Sequence, residues 1–314
     1  MRLRRSAGLL AAVAGAAAMA GTVSAGGSAL SGTITADGSS TLGPYTTAAA
    51  EGFQKKNPKV RVTVGISGTG GGFQRFCKGE TDISNASRKI NQATEAKACR
   101  DNGITYIAFA AANDGISMVT NQSNNWATCL TMAELKKIWE PGSKVDNWKD
   151  IRSSFPDQKL KLFGPGTDSG TFDFFTEHVN GKAKASRSDY QASEDDNVLV
   201  QGVSGEKGGL GYFGLSYYEE NKDKLNLLGV DKGNGCVKPS TQTVQNRTYP
   251  ISRGLYLYVK KASFTRPEVQ GFVDYILKNE KPIAVKAKFV PLTPAQLKNA
   301  KRLFKYAVLN AKKG

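Results

Sequence analysis

The sequence contains very little histidine and few cysteines. Its 314 residues include one histidine, His178, and four cysteines, none of them in a Cys-x-x-Cys spacing. Because zinc sites are built from clustered cysteine and histidine ligands, we expect neither a metal site nor a cofactor. We expect His178 to be a solvent-facing residue of a helix.

A serine hydrolase is the alternative from the enzyme class, and the sequence lacks most of what that class needs. No serine stands in a Gly-x-Ser-x-Gly elbow, and a nucleophilic serine requires a histidine base within hydrogen-bonding reach. Ser169 precedes His178 by nine residues, which is about two and a half turns of a continuous helix and too far for a hydrogen bond. The sequence therefore predicts a protein that is not an enzyme.

Acidic residues are too few to balance the basic ones. The chain has 43 Lys and Arg against 27 Asp and Glu, a formal net charge of +16. Such a surface attracts anions, and nucleic acid is one candidate. Since the basic residues are spread along the chain, we favour a solvated basic face and expect no binding of nucleic acid. We also expect the protein to be a monomer. A denser basic set lies near the C-terminus and consists of Lys298, Lys301, Arg302, Lys305, Lys312 and Lys313.

Apolar runs long enough to cross a membrane are missing beyond the N-terminal region. The first five residues contain three arginines, residues 9–20 are apolar but short, and residues 23–25 are Val-Ser-Ala. This pattern predicts a secretory signal peptide over residues 1–25 that is cleaved before Gly26. Because no cysteine follows the cleavage site, we expect no lipid attachment there and a periplasmic or secreted protein.

Glycine and hydroxyl residues are concentrated in three short runs, each at the apparent start of a helix. Glycine lets a ligand approach the backbone closely, and the first turn of a helix leaves N–H donors unpaired at the positive end of the helix dipole. Serine and threonine hydroxyls add further donors. Three such helix starts would together bind a small tetrahedral oxyanion. The runs are residues 38–42 (Gly-Ser-Ser-Thr-Leu), 67–72 (Ser-Gly-Thr-Gly-Gly-Gly) and 167–171 (Thr-Asp-Ser-Gly-Thr).

The order of predicted elements indicates an α/β protein. Strands and helices alternate over residues 34–88, and residues 60–64 have the apolar–polar alternation of a half-buried strand. Residues 131–134 (Thr-Met-Ala-Glu) have the capping-box pattern that begins a helix. The Asn-Asp-Gly sequence at residues 113–115 predicts a break in an extended segment, where the chain enters a second domain.

We therefore expect two lobes with two chain crossings between them. The first lobe is predicted to contain residues 26–114 and 250–314, and the second residues 115–249. The four cysteines allow three pairings, and export would place them in an oxidising compartment. We favour disulfides Cys77–Cys99 and Cys129–Cys236, because each bridge then stays inside one predicted lobe.

Several of these segments together resemble the signature loops of the phosphate-binding proteins of bacterial ABC transporters. The segments are residues 38–42, 68–73 (Gly-Thr-Gly-Gly-Gly-Phe), 82–88 (Asp-Ile-Ser-Asn-Ala-Ser-Arg) and 166–172 (Gly-Thr-Asp-Ser-Gly-Thr-Phe). Residues 249–253 (Tyr-Pro-Ile-Ser-Arg) resemble the second hinge strand of that family. The resemblance implies a two-lobed class II periplasmic binding protein fold. It also implies that inorganic phosphate binds between the lobes and is delivered to a membrane permease.

The resemblance further implies a set of phosphate-binding residues. In the first loop, backbone N–H groups and a threonine hydroxyl would bind the ligand; the second and third loops would add hydroxyls and one arginine. In the second lobe, the matching feature is the family's Ser-Gly-Thr sequence. The implied residues are Ser40, Thr41, Leu42, Thr69, Ser87, Arg88, Ser169, Gly170 and Thr171.

The charged residues depart from the pattern of the better-known family members. Those proteins have an aspartate at about the position of Arg88, which accepts the proton of hydrogen phosphate, and an arginine where this chain has Pro165. Asp168 is here the candidate proton acceptor, with Asp37 as a lesser one. Sulfate has no proton at neutral pH, so a site made only of donors would discriminate poorly. Binding of another oxyanion, such as sulfate, molybdate or a phosphonate, is therefore the alternative.

Overall fold

The structure is a computed structural model that describes residues 29–167, 169–193 and 195–311. The expected signal peptide, residues 1–25, and the candidate proton acceptor Asp168 lie outside the described residues. Strands and α-helices alternate over much of the described chain, as the sequence predicts.

The bounds of these elements are as follows. The strands are β1 (Gly32–Gly38), β2 (Val60–Val64), β3 (Ile83–Ala86), β4 (Tyr106–Asn121), β5 (Cys129–Thr131), β6 (Lys161–Pro165), β7 (Gln191–Ser193), β8 (Gly209–Gly214), β9 (Leu225–Leu227), β10 (Gly229–Asp231), β11 (Cys236–Val237) and β12 (Ser252–Lys260). The α-helices are α1 (Gly43–Lys56), α2 (Gly68–Cys77), α3 (Glu95–Asp101), α4 (Met132–Trp139), α5 (Trp148–Ile151), α6 (Gly170–Asn180), α7 (Asp196–Gly205), α8 (Leu215–Glu220), α9 (Thr241–Gln245), α10 (Pro267–Lys278), α11 (Glu280–Lys286) and α12 (Pro294–Ala311).

The main sheet has the strand order β2-β1-β3-β12-β4-β8-β6-β7, and β9 also pairs with β4. At one end β1 is parallel to β2 and β3; at the other β6 is parallel to β7 and β8. In the middle β12 and β4 are antiparallel to each other and to their outer neighbours. A second sheet has the order β11-β10-β5. Two parallel α/β halves are thus joined through two long strands, which is the α/β architecture that the sequence predicts.

Strand β4 belongs to both halves. It pairs with β12 from Tyr106 to Gly115 and with β8 from Ile116 to Thr120. The expected break at residues 113–115 is therefore wrong, because the strand continues through them.

Side-chain partners explain why turn-forming residue types occur inside this strand. Asn113 and Asp114 are buried, and the Asp114 carboxylate accepts a hydrogen bond from Arg253. At Gly115 a Cβ atom would lie 2.4 Å from a methyl carbon of Val244. The burial of Asn113 and Asp114 and the close packing of Val244 against Gly115 keep the Asn-Asp-Gly sequence extended, so it does not form a turn here.

Each half has its own large apolar core. The first contains Phe53, Phe109 and Phe272, and the second contains Trp139 and Phe175. The two cores thus lie on either side of the two long central strands.

The segment that follows α11 also contacts the second core. Val290 packs into that core and forms a β-bridge with Asn113, whereas Ala300 and Ala307 of α12 are back in the first core. Two crossings were expected from the sequence, and this additional contact was not among them.

Local covalent and capping features agree with the expectations. Disulfides join Cys77 to Cys99 and Cys129 to Cys236, the two favoured pairings. The capping box is present: the Thr131 hydroxyl accepts from the Glu134 N–H, and the Glu134 carboxylate accepts from the Thr131 N–H. Among the described residues, no helix combines the length and hydropathy that a bilayer span requires.

Candidate functional site

The three glycine- and hydroxyl-rich runs each lead from a strand into a helix. Helices α1, α2 and α6 begin at Gly43, Gly68 and Gly170, directly after or within these runs. The predicted helix starts are confirmed. Each run comes at the end of a strand: the first follows β1, the second β2 and the third β6. The runs therefore lie at the carboxyl ends of their strands, where ligands of open α/β sheets bind.

A buried carboxylate positions the first two runs. One oxygen of Asp37 accepts from the N–H groups of Gly38 and Ser67, at 2.7 and 3.1 Å. The other oxygen accepts from Arg75 at 2.5 Å. With both oxygens engaged, Asp37 holds the end of β1 next to the start of α2.

Glycine allows the runs to approach one another closely. A Cβ atom at Gly72 would lie 2.4 Å from the Gly38 Cα. Across the two halves, a Cβ atom at Gly170 would lie 2.1 Å from the Thr41 hydroxyl oxygen and 2.6 Å from the Thr41 backbone nitrogen. The first turn of α6 therefore lies directly against the first run.

Arg253 connects the same two segments. Its Nη2 group donates to the Thr41 hydroxyl at 2.8 Å and to the Gly170 carbonyl at 3.1 Å. Its Nε group donates to Asp114 at 3.0 Å, and the guanidinium carbon lies 4.0 Å from the centroid of the Phe174 ring. One cation thus contacts both halves of the molecule.

The surroundings of Arg253 are largely dry. Its side chain is 10% exposed and that of Asp114 is 6% exposed, and desolvation lowers the pKa of Arg253. The two residues face each other in the register of β12 against β4. A charged side chain is almost never fully buried unless it is paired, so this pair marks the junction as a polar centre.

Two cavities adjoin this centre. The first has a volume of about 390 Å³, and its lining includes Ser40, Thr41, Asp114, Ser169, Gly170 and Thr171. The second has a volume of about 490 Å³, and its lining includes Ser87, Arg88, Phe174, Glu177, His178 and Arg253. Seven of the nine expected ligand residues are therefore divided between two cavities, whereas Leu42 and Thr69 line neither. Arg253 lines the second cavity and is hydrogen-bonded to Thr41 and Gly170, which line the first.

Several expected donors make hydrogen bonds within the protein. The Leu42 N–H donates to the Ser39 hydroxyl at 3.3 Å. The hydroxyls of Thr69 and Ser87 lie 3.0 Å apart, and the Ser87 N–H donates to Thr69. The Ser169 hydroxyl caps α6 by accepting from the Thr171 N–H. The hydroxyls of Thr69, Ser87 and Ser169 thus bind loop backbone or each other and are available to a ligand only through their remaining donor or acceptor capacity.

Arg88 is paired with a carboxylate. Its two terminal nitrogens donate to the two oxygens of Glu95, each at 2.8 Å. This bidentate interaction raises the pKa of Arg88, and the side chain is 40% exposed. Arg88 is therefore more open to solvent than Arg253 and already has a counter-ion in α3.

His178 is not the solvent-facing residue that we expected. It is half-buried, and its Nε2 lies 2.9 Å from the Pro250 carbonyl oxygen. Desolvation lowers its pKa. Ser169, whose hydroxyl caps α6, and His178 therefore have separate partners, and no Ser–His hydrogen bond joins them.

Arg253 and Asp114 are not among the binding residues that the sequence predicts. The sequence predicts a hinge strand at Arg253 and a break at Asp114. The sequence does contain one indication of a pair at Arg253. An arginine within the apolar run of residues 249–259 is expected to have a partner of opposite charge where it is buried. Across residues 29–167, 169–193 and 195–311, no group of three or more His, Cys, Asp and Glu side chains is arranged to hold a metal ion.

Comparison with known proteins identifies the family. A family model for the PBP superfamily domain matches residues 23–280. Protein SphX of Synechococcus elongatus is 49% identical over 253 residues, which cover 79% of this chain and 74% of that protein. Phosphate-binding protein PstS of Staphylococcus saprophyticus is 39% identical over 246 residues, which cover 77% of this chain and 75% of that protein.

A solved structure extends the match to the whole fold. The crystal structure described as that of a possible phosphate binding protein from Planctomyces limnophilus superposes with a TM-score of 0.85 at 44% identity. The superposition covers 89% of this chain and 99% of that chain. The chain therefore belongs to the PBP superfamily, and within it to the family of bacterial phosphate-binding proteins that these relatives represent.

Proposed function

We propose that this protein binds inorganic phosphate in the cleft between its two lobes and delivers it to the membrane permease of an ABC transporter. The names of the relatives support the ligand, and the position of Arg253 is the observation that supports the site. A buried arginine that contacts both Thr41 and Gly170 provides positive charge where the first run meets the start of α6. Isothermal titration with phosphate, sulfate and molybdate at two pH values tests the proposal.

Hydrogen-bond donors must replace the water around a doubly charged anion. An unpaired buried charge is very costly, so nearly every oxygen of the ligand needs a donor. The starts of α1, α2 and α6 would provide backbone N–H groups, those of Leu42 and Thr171 by exchanging the Ser39 and Ser169 hydroxyls for the ligand, and the planar fork of an arginine can hold two oxygens. Hydrogen bonds to a charged group contribute about 1.5–3 kcal/mol each, so several of them support binding in the micromolar range or tighter.

The lobes of this receptor are residues 26–114 with 250–314, and residues 115–249. This division is supported by β4, which changes its partner from β12 to β8 between Gly115 and Ile116. Phosphate favours the closed arrangement because contacts from both lobes exist only there. The protein acts as a monomer, does not bind nucleic acid, and is periplasmic or secreted after removal of residues 1–25.

We expect Asp114 to accept the proton of hydrogen phosphate. Asp114 lines the first cavity with Ser40 and Thr41, and the one hydrogen bond that its carboxylate makes among the described residues comes from Arg253. Asp114→Asn keeps the shape and an acceptor for Arg253 but can donate to sulfate, so the preference for phosphate over sulfate should narrow by about tenfold, the effect of one hydrogen bond. Calorimetric titration with both anions measures this ratio.

The same substitution, Asp168→Asn, is tested in parallel at Asp168, the candidate proton acceptor that the sequence predicts. Asp101→Asn on the exposed side of α3 is the remote control and should leave the ratio unchanged. If Asp168→Asn narrows the preference and Asp114→Asn does not, Asp168 is the acceptor and the assignment of Asp114 is wrong.

Arg88→Ala should weaken phosphate binding roughly tenfold, the effect of about one charge-assisted hydrogen bond. The expected loss is smaller than for Arg253, because the Arg88 side chain is 40% exposed and that of Arg253 only 10%, and solvent screens an exposed charge. Calorimetry measures the dissociation constant, and Arg100→Ala on the neighbouring helix α3 serves as the control. A phosphate affinity equal to that of the control would show that Arg88 does not contribute to phosphate binding.

Two alternative functions can be tested. Tighter binding of sulfate, molybdate or a phosphonate than of phosphate would make the protein a receptor for that oxyanion. The hydrolase alternative lacks structural support, because the Ser169 hydroxyl caps α6 and His178 lies against the Pro250 carbonyl. Turnover of a p-nitrophenyl ester or phosphate would nevertheless establish an enzymatic activity.

A further inference from the structure

Helix α12 has two faces of different chemistry. One face packs on the first core, with Ala300 and Ala307 buried and Leu297, Phe304 and Val308 packed partly against them. This face holds the helix on the first lobe and leaves the opposite side in contact with solvent.

The opposite face is strongly basic. Its cations are Lys298, Lys301, Arg302 and Lys305, and all four are exposed. At about 100° per residue, they lie within roughly 100° of the helix circumference. The eighteen residues of α12 include no aspartate or glutamate, and among the described residues none of the four cations is within ion-pair distance of a carboxylate. We call these four residues the basic face of α12.

Two large apolar side chains continue the basic face toward the C-terminus. Tyr306 is 57% exposed and Leu309 is 62% exposed. Their positions at i+8 and i+11 from Lys298 place Leu309 inside the sector of the four cations and Tyr306 about 40° beyond its edge. Leu309 therefore lies in line with the cations and Tyr306 borders them, so this exposed surface combines positive charge with apolar area.

We propose that the basic face of α12, together with Tyr306 and Leu309, docks on the surface of an anionic lipid bilayer. Clusters of four or more lysines and arginines on a helix attract anionic headgroups. A tyrosine ring suits the boundary between headgroups and acyl chains, and a leucine can insert just below it. Nucleic acid would use the cations but would leave the exposed Leu309 in water, so the combined pattern favours a membrane surface.

Docking through α12 would leave the ligand site free. None of the six residues of this surface lines either cavity beside Arg253. A receptor held at the bilayer by α12 would search for its permease in two dimensions while its cleft stays open to the ligand. The proposal does not depend on which anion the cleft binds.

The test uses the mature full-length chain and sedimented vesicles of phosphatidylcholine alone or mixed equally with phosphatidylglycerol. The unaltered protein should bind the mixed vesicles, bind the phosphatidylcholine vesicles at least tenfold more weakly, and dissociate as salt is raised. Neutralising the basic face with Lys298→Gln, Lys301→Gln, Arg302→Gln and Lys305→Gln should weaken binding to mixed vesicles at least tenfold.

A matched control removes the same charge elsewhere. Lys136→Gln, Lys144→Gln, Lys149→Gln and Lys182→Gln change four exposed lysines of the second half and should alter vesicle binding less than threefold. Tyr306→Ser with Leu309→Ser should weaken vesicle binding without changing retention on duplex DNA. Phosphate affinity and the unfolding temperature should be unchanged in the α12 variants, which separates this proposal from the proposed function.

Three results would overturn the membrane proposal. The first is equal loss of vesicle binding in the basic-face variant and in its control, since net charge alone would then explain attraction. The second is absence of binding to the mixed vesicles by the unaltered protein. The third is loss of DNA retention, and not of vesicle binding, in the basic-face variant.

Discussion

Arg253→Met is expected to weaken phosphate binding at least about a hundredfold, which corresponds to about 2.7 kcal/mol. Methionine fills a similar volume but removes the charge and the donors that now bind Thr41 and Gly170. Charge-assisted hydrogen bonds contribute about 1.5–3 kcal/mol each, so losing one or two bonds from the guanidinium to the bound anion would account for the expected change. Isothermal titration calorimetry measures the affinity directly.

The same substitution should also destabilise the fold. It leaves the Asp114 carboxylate, whose side chain is 6% exposed, without its partner. Breaking a buried ion pair from one side costs about 3–5 kcal/mol of unfolding free energy. Chemical denaturation of the ligand-free protein measures this loss.

Two further variants separate binding from stability. Arg253→Met combined with Asp114→Asn removes both charges, so most of the stability should return while phosphate affinity stays low. Arg253→Lys keeps the charge without the planar fork and should lie between the parent and Arg253→Met in affinity. Affinity within twofold of the parent in the double variant would mean that Arg253 has a structural role only.

Gly170→Ala is expected to lower phosphate affinity roughly 10- to 100-fold, since forcing an extra methyl group into a tight contact costs about 1–3 kcal/mol. The added methyl group would lie 2.1 Å from the Thr41 hydroxyl oxygen and 2.7 Å from the Thr41 Cα. Part of this obstacle is backbone, so a change of side-chain rotamer cannot remove it. The two halves could relieve the contact only by moving apart.

The unfolding midpoint without ligand should change little in Gly170→Ala, because the collision disappears when the cleft opens. Small-angle scattering should detect less compaction on addition of phosphate than in the parent protein. Gly205→Ala in α7 is the matched control, because the added Cβ there would have no heavy atom within 4 Å beyond its own helix backbone and chain neighbours. Parent-like affinity and compaction in Gly170→Ala would mean that this contact is not part of the closed state.

Sequence-local features could be predicted well. The helix starts at Gly43, Gly68 and Gly170 and the capping box at Thr131 depend on residues within a few positions of one another. The α/β class follows from the same alternation of strand and helix signals. The favoured disulfides followed from keeping each bridge within one predicted lobe, and the structure forms both pairs.

Features that depend on strand register could not be predicted in this way. Arg253 meets Asp114 because β12 runs antiparallel to β4 in one particular register, and the two residues are 139 positions apart. The same neighbours turn an apparent Asn-Asp-Gly turn into a continuous strand. His178 was expected in solvent, yet it lies against Pro250 because of how α6 packs on the approach to β12.

By itself, the sequence determined where the helices begin, which residue types stand at those starts, and that the chain has an excess of positive charge, because these properties depend on neighbouring residues or on composition. Only the tertiary structure decided which charges are buried together, that Arg253 rather than Arg88 joins the two halves, and that four cations of α12 share one exposed face. Burial and pairing depend on distances between residues far apart in the chain, and those distances exist only once the strands have paired and the cores have packed.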